Sequence, residues 1–75
     1  MPRIYVGTPE NDRIYEAGQH QTIAEVLEAN DVRVNGLVQH NGNTIPASKM
    51  NKTTSELGIV ENDTIYVVQK HDSAE

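Results

Sequence analysis

Three histidines, His20, His40 and His71, are the residues of this chain best suited to bind a metal ion or to transfer protons near neutral pH. Histidine pairs that hold zinc usually stand at i and i+4 on one helix face, or are accompanied by closely spaced cysteines. These three histidines lie far apart in the sequence, in a loop, a predicted strand and the C-terminal tail, and the chain has no cysteine. We therefore expect solvated histidines, no metal site and no cofactor.

Ser48 and Ser55 are candidate nucleophiles. A serine becomes reactive when a histidine and an acid are held beside it, usually with a sharp elbow motif and a glycine-rich oxyanion loop. Neither motif surrounds these serines, and a chain of 75 residues leaves little room for a concave pocket. The sequence therefore predicts that the protein is not an enzyme.

The distribution of charge along the chain indicates which kinds of partner the protein can bind. The formal net charge is −5, and the six Lys and Arg residues are scattered along the chain. Nucleic-acid binding needs clustered basic residues, so we expect no nucleic-acid partner. No apolar run approaches the roughly 18 residues of a membrane span, and residues 1–10 lack the apolar core of a signal peptide. We expect a cytoplasmic protein that does not bind membranes.

The elements that must position any functional side chain begin with a hairpin. Residues 3–7 alternate, with Ile4 and Val6 on one face, as in a half-buried strand. Residues 8–12 carry Pro, Asn and Asp, which favour a turn. Residues 13–18 then predict a second, antiparallel strand.

Residues 22–30 change to helical periodicity. Thr22 is a good N-cap, and Glu25 completes a capping box three residues later. Ile23, Val26 and Leu27 share one face. The sequence predicts a short helix that needs a sheet to pack against.

Two further strands follow. We expect a strand at residues 37–41, a tight turn at Asn41-Gly42 and a short strand over Asn43–Ile45 that Pro46 ends. The polar stretch after Pro46 is predicted to be irregular until Ser55, which begins one helical turn that ends at Gly58.

The last strand is predicted at residues 63–69. Ile65 and Val67 are expected to point inward, and Tyr66 and Val68 outward. The order of elements predicts an α+β roll: a mixed four- to five-stranded sheet with one helix packed on one face (ββαββ). We expect a single domain over residues 1–70 and a short flexible tail over residues 71–75.

Three stretches resemble the ubiquitin-like β-grasp family, which includes ubiquitin and the small sulfur carriers of thiamine and molybdopterin synthesis. They are "QTIAEVLEAN", "NGNTI" and "TTSELGIVENDTIYVV". They are similar to the start of the family's helix, the turn between its third and fourth strands, and its C-terminal stretch. The resemblance spans nearly the whole chain and implies the β-grasp fold.

The resemblance also bears on the C-terminus. Ubiquitin and the sulfur carriers act through a C-terminal Gly-Gly, because residues without a Cβ thread the narrow channel of an activating enzyme. The matching positions here are Ser73 and Ala74, followed by Glu75. The resemblance therefore implies that conjugation or sulfur carriage is disfavoured for this chain.

The family's main docking patch lies on the exposed sheet face, and its matching positions are Pro9, Gln39, Tyr66 and Val68. Gln39 replaces the patch's central Ile, which implies weak binding to the receptors of that patch. We expect a non-catalytic, monomeric protein that binds another protein through its exposed sheet face. Two alternatives stay open: a modifier or sulfur carrier activated at its C-terminus, and a structural subunit of a larger assembly.

Overall fold

The computed structural model describes residues 1–68, which form one mixed sheet and one α-helix. The elements, in chain order, are β1 (Arg3–Thr8), β2 (Asn11–Glu16), α1 (Ile23–Ala29), β3 (Leu37–His40), β4 (Asn43–Ile45), a 3₁₀ helix (Ala47–Lys49) and β5 (Thr64–Val68).

The five strands lie in the order β2-β1-β5-β3-β4. The central neighbours β1 and β5 are parallel, and the other three pairs are antiparallel. The predicted fold class is confirmed: this is a small α+β fold, compatible with a β-grasp roll.

The β1–β2 hairpin is longer and tighter than predicted. Thr8 pairs with Asn11, so the loop is reduced to Pro9 and Glu10. The backbone N–H of Asn11 donates to Oγ1 of Thr8 at 3.1 Å, so the pairing of β1 with β2 begins directly after this two-residue loop. β2 therefore begins at Asn11 rather than at Arg13. It ends at Glu16. The backbone N–H of the next residue, Ala17, donates to the carbonyl oxygen of Pro2.

The predicted helix and its capping box are confirmed. Thr22 Oγ1 accepts from the backbone N–H of Glu25 at 3.1 Å, and Glu25 Oε1 accepts from the backbone N–H of Thr22 at 2.9 Å. These reciprocal bonds satisfy donors that a helix N-terminus otherwise leaves free. Asn30 is the C-cap, and its Nδ2 donates back to Val26 O at 2.8 Å.

The core lies between the helix and one face of the sheet. It is aliphatic, as the near-absence of aromatic residues requires. Its buried members are Ile4, Val6, Ala17, Ile23, Val26, Leu27, Val38, Ile59, Ile65 and Val67. The inward positions of Ile65 and Val67 are thereby confirmed.

The turn between β3 and β4 follows the prediction. Asn41 has a φ of 53° and Gly42 a φ of 87°, so both occupy the left-handed region that tight hairpin turns need. β3 ends at His40, one position before the turn, because Asn41 is used by the turn itself.

The segment between β4 and β5 is more regular than predicted. A 3₁₀ helix follows Pro46, and the later helical turn starts at Thr53 rather than at Ser55. Thr53 and Glu56 exchange backbone-to-side-chain bonds of 2.9 and 3.1 Å, which cap that turn. Gly58 ends it with a φ of 70°, as expected.

The described part of β5 begins at Thr64, after the turn that Asp63 closes. The expectations for Gln69, His71, Ser73 and Ala74, and for a flexible tail at residues 71–75, lie outside the described residues.

Candidate functional site on the outer face of the sheet

The sheet has one face that α1 does not cover, and we call it the outer face. Strand alternation places on it the residues Tyr5, Asp12, Ile14, Leu37, Gln39, Thr64, Tyr66 and Val68. The side chains of Ile14 and Leu37 are 63% and 42% exposed, although both are aliphatic. This face therefore presents apolar side chains to solvent.

Tyr66 lies in the middle of a row that crosses the sheet. It stands beside Gly7 of β1 on one side and beside Gln39 of β3 on the other. Gly7 in turn pairs with Asp12 of β2. The row brings the predicted residues Gln39 and Tyr66 together and adds Asp12.

A hydrogen bond within this row links Tyr66 to Asp12, across Gly7. The hydroxyl of Tyr66 donates to Oδ2 of Asp12 at 2.6 Å. The two residues are separated by β1, and neighbouring strands lie about 4.8 Å apart. The tyrosine side chain must therefore extend along the sheet above Gly7, which has no side chain to obstruct it.

This bond changes the acidity of the phenol. The hydrogen bond to Asp12, then partial burial and the charge of the same carboxylate, raise the pKa of Tyr66 to about 12. At neutral pH the phenol is therefore a neutral donor, and Asp12 is its acceptor.

The remaining two predicted residues meet at one end of the outer face. Pro9 and Val68 line a shallow cleft of about 390 Å³, together with Glu10 and Asn35. Leu37 stands directly opposite Val68 on β3. The structure thus places Pro9, Gln39, Tyr66 and Val68 on one connected surface.

The opposite end of the outer face carries an exposed ion pair. Arg3 Nε lies 3.0 Å from Glu61 Oε2, and the backbone N–H of Arg3 donates to Glu61 Oε1 at 2.7 Å. These bonds lower the pKa of Glu61. Tyr5 and Ile14 pair beside them across β1 and β2.

His40 is not the solvated residue that we predicted. Its Nε2 lies 2.8 Å from Asp63 Oδ2, and both side chains are largely buried. Burial alone would raise the pKa of Asp63, but hydrogen bonds from His40, from Asn41 and from the backbone N–H of Val60 outweigh it and lower that pKa. The pair closes the turn before β5. His20 is exposed, as predicted.

Residues 1–68 contain no group of three or more His, Cys, Asp or Glu side chains that could hold a metal ion. In the same residues, neither Ser48 nor Ser55 hydrogen-bonds to a histidine through its side chain. His40 instead pairs with the carboxylate of Asp63, which also accepts a hydrogen bond from the backbone N–H of Val60.

Five outer-face residues were missed from the sequence: Tyr5, Asp12, Ile14, Leu37 and Thr64. The alternation of β1 and β2 places Tyr5 and Ile14 opposite the core, so the pattern alone was a usable signal. Asp12 had no such signal, because it meets Tyr66 only when β1 lies between β2 and β5.

No model of a known protein family matches this chain, and no curated protein matches it. In the part of the chain that the structure describes, no helix has both the length and the apolar character needed to cross a membrane.

Proposed function

We propose that this chain is a ubiquitin-like β-grasp protein that works without catalysis, as a protein–protein interaction module whose outer face binds another protein. The observation that carries the proposal is the exposed apolar surface of the outer face. The helix covers only the other face of the sheet, and within residues 1–68 Ile14 and Leu37 remain exposed and Val68 half-buried.

The assignment to the ubiquitin-like family is supported by local features that agree with the overall fold. They are the capped helix, the Asn41-Gly42 turn and the parallel pairing of β1 with β5. These features fit a β-grasp roll, and the helix cap, the turn and β5 lie in the stretches where the sequence resembles that family.

The interaction role is supported by the composition of the outer face. Leu37 and Val68 form a small apolar patch next to Tyr66. Apolar patches on a small protein often mark an interface, and tyrosine is favoured at interfaces. The polar Gln39 lies next to Tyr66 in the row. The proposed partner therefore differs from the receptors that bind the family's usual patch.

We expect the protein to act as a monomer in the cytoplasm. Its net charge of −5 opposes the association of two copies through surfaces that carry carboxylates.

The test uses the full chain as bait and then a purified partner. A protein captured from a cell extract is purified and titrated against the wild type and two variants, Tyr66→Ala and Val68→Asp. We expect both variants to lose at least tenfold in affinity, since each removes an apolar or aromatic side chain of the proposed contact surface.

Val34→Asp is the matched control. Val34 is 54% exposed and lines a groove beside α1 with Leu27 and Glu28, and it is not part of the outer face. The same change of valine to aspartate there should leave the affinity unchanged. The proposal fails if the purified partner binds the Val68→Asp and Tyr66→Ala variants as tightly as the wild type.

A further inference from the structure

We propose that Tyr66 and Asp12 form a recognition site for a basic side chain of the partner, with arginine as the preferred ligand. This inference rests on the proposed function of the outer face and specifies the chemistry of what binds there.

The aromatic part of the site is created by Gly7. A Cβ built on Gly7 would lie 2.5 Å from the carbonyl oxygen of Asn11, so the hairpin has no room for a side chain at this position. The ring of Tyr66 extends over that position to reach Asp12. Tyr66 is half-buried on the face that α1 does not cover, so part of the ring stays exposed to solvent.

The charged part of the site is the carboxylate of Asp12. Asp12 is exposed, and its Oδ2 accepts the hydroxyl of Tyr66. Within residues 1–68, no arginine or lysine forms an ion pair with it. The carboxylate therefore has acceptor capacity for a further donor.

A guanidinium group fits these two parts together. Cations are attracted to the face of an aromatic ring, and arginine does this more often than lysine. Its planar fork also donates directionally to a carboxylate, so one group can stack on Tyr66 and bond to Asp12. Because the hydrogen bond already fixes the ring and the carboxylate, these side chains lose little conformational freedom when the ligand binds.

The surroundings have the matching sign of charge. Glu10 lies in the neighbouring cleft beside Val68, so a second carboxylate adjoins the site. Arg3 at the far end of the outer face is engaged by Glu61. A basic partner is thus attracted, whereas a second copy of this acidic chain is repelled.

The apolar residues beside the site indicate which side chain of the partner would lie next to the arginine. Leu37 and Val68 stand opposite each other, next in line along the strands from Gln39 and Tyr66. A segment that places an arginine over Tyr66 would therefore lay an adjacent aliphatic side chain on Leu37 and Val68.

The experiment titrates the isotope-labelled full chain with the acetylated, amidated pentapeptide Leu-Arg-Leu-Arg-Leu, followed by NMR at the amides of Gly7, Asp12 and Tyr66. Its matched control peptide carries citrulline at both arginines, which keeps the shape and removes the charge. We expect the arginine peptide to shift these amides and to bind at least about tenfold more tightly than the citrulline peptide.

Three variants separate the contributions. Asp12→Asn and Tyr66→Leu should each weaken the arginine peptide by about three- to tenfold, and Tyr66→Phe should weaken it less than Tyr66→Leu because the ring is kept. Glu28→Gln removes a carboxylate from the exposed side of α1 and should change nothing. If Tyr66→Leu does not fold, Asp12→Asn and the comparison of the two peptides still test whether the site binds arginine.

The inference is overturned if the citrulline peptide binds equally well, if Asp12→Asn and Glu28→Gln have equal effects, or if the outer-face amides do not shift. The purified partner distinguishes the two proposals. Binding that is lost in Val68→Asp but unchanged in Asp12→Asn overturns the arginine site alone. Binding that is unchanged in Tyr66→Ala, Val68→Asp and Asp12→Asn overturns the interaction face itself.

Discussion

Tyr66 connects the second and last strands of the sheet through one hydrogen bond to Asp12. The bond has a consequence for stability at high pH. The folded pKa of Tyr66 is about 12, above the value of about 10 for an unfolded tyrosine. The stabilisation by this bond is therefore fully present below pH 10 and is lost as the pH rises from about 10 to about 12.

We predict that Asp12→Asn lowers the pKa of Tyr66 toward 10, because the variant removes the negative charge beside the phenol. The measurement is a pH titration of tyrosinate absorbance in a Tyr5→Phe, Tyr15→Phe background, where Tyr66 is the single phenol. A midpoint in the parent background that equals that of Asp12→Asn would contradict the assignment.

The same residues show where sequence reasoning stops. The outward direction of Tyr66 follows from the alternation with Ile65 and Val67, which is a local property of β5. The contact with Asp12 depends on a strand order that brings distant segments together, and alternation carries no information about that order. For the same reason, the pairing of His40 with Asp63 could not be predicted, because the two residues are 23 positions apart in the sequence.

At the scale of elements, the hairpin of β1 and β2 depends on Gly7 in a way that differs from the hairpin of β3 and β4. Gly7 has a φ of 142° and a blocked Cβ position, whereas Gly42 has a φ of 87° and open space around it. Both glycines relieve backbone strain, but only Gly7 also avoids a steric clash.

We therefore predict that Gly42→Ala lowers the free energy of unfolding by about 1 kcal/mol, from strain alone. Gly7→Ala should lower it by about 2–4 kcal/mol, because the β1–β2 hairpin must also shift. Urea unfolding followed by circular dichroism compares the two variants. Equal losses would mean that the hairpin accommodates the added methyl group.

The elements that could be predicted are those whose signals are local. Thr22 and Glu25 fix the start of α1 through bonds within one turn, and Asn41-Gly42 fixes a turn through backbone angles. The 3₁₀ helix and the start of β2 at Asn11 were missed. Asn11 is placed by its pairing with Thr8, and the 3₁₀ helix is held by backbone bonds to Pro46 and Ala47. Neither polar segment has an apolar periodicity that would reveal it.

At the scale of the whole molecule, stability should fall in acid. Hydrogen bonds lower the pKa of Glu56 and Glu61, and those to Asp63 lower its pKa in spite of burial. The unfolded carboxylates ionise near pH 4, so these bonds stabilise the fold above that pH and are lost as the pH falls through the lower folded values.

Asp63→Asn tests the contribution of the partly buried Asp63 to this effect. We predict that the variant unfolds more easily than the wild type at pH 7, and that the difference shrinks as the pH falls below about 4. Thermal unfolding across that range measures it, with Glu28→Gln as the control. A difference that stays constant with pH would show that the carboxylate of Asp63 is not the titrating group.

The parallel pairing of β1 with β5 has a mechanical consequence. β1 begins at Arg3 and the described part of β5 reaches Val68, and the two strands run side by side in the same direction at the centre of the sheet. A force that pulls these two positions apart slides one strand along the other, and it loads their hydrogen bonds together instead of opening them one after another. The domain should therefore resist stretching between these points more strongly than stretching across the β1–β2 hairpin.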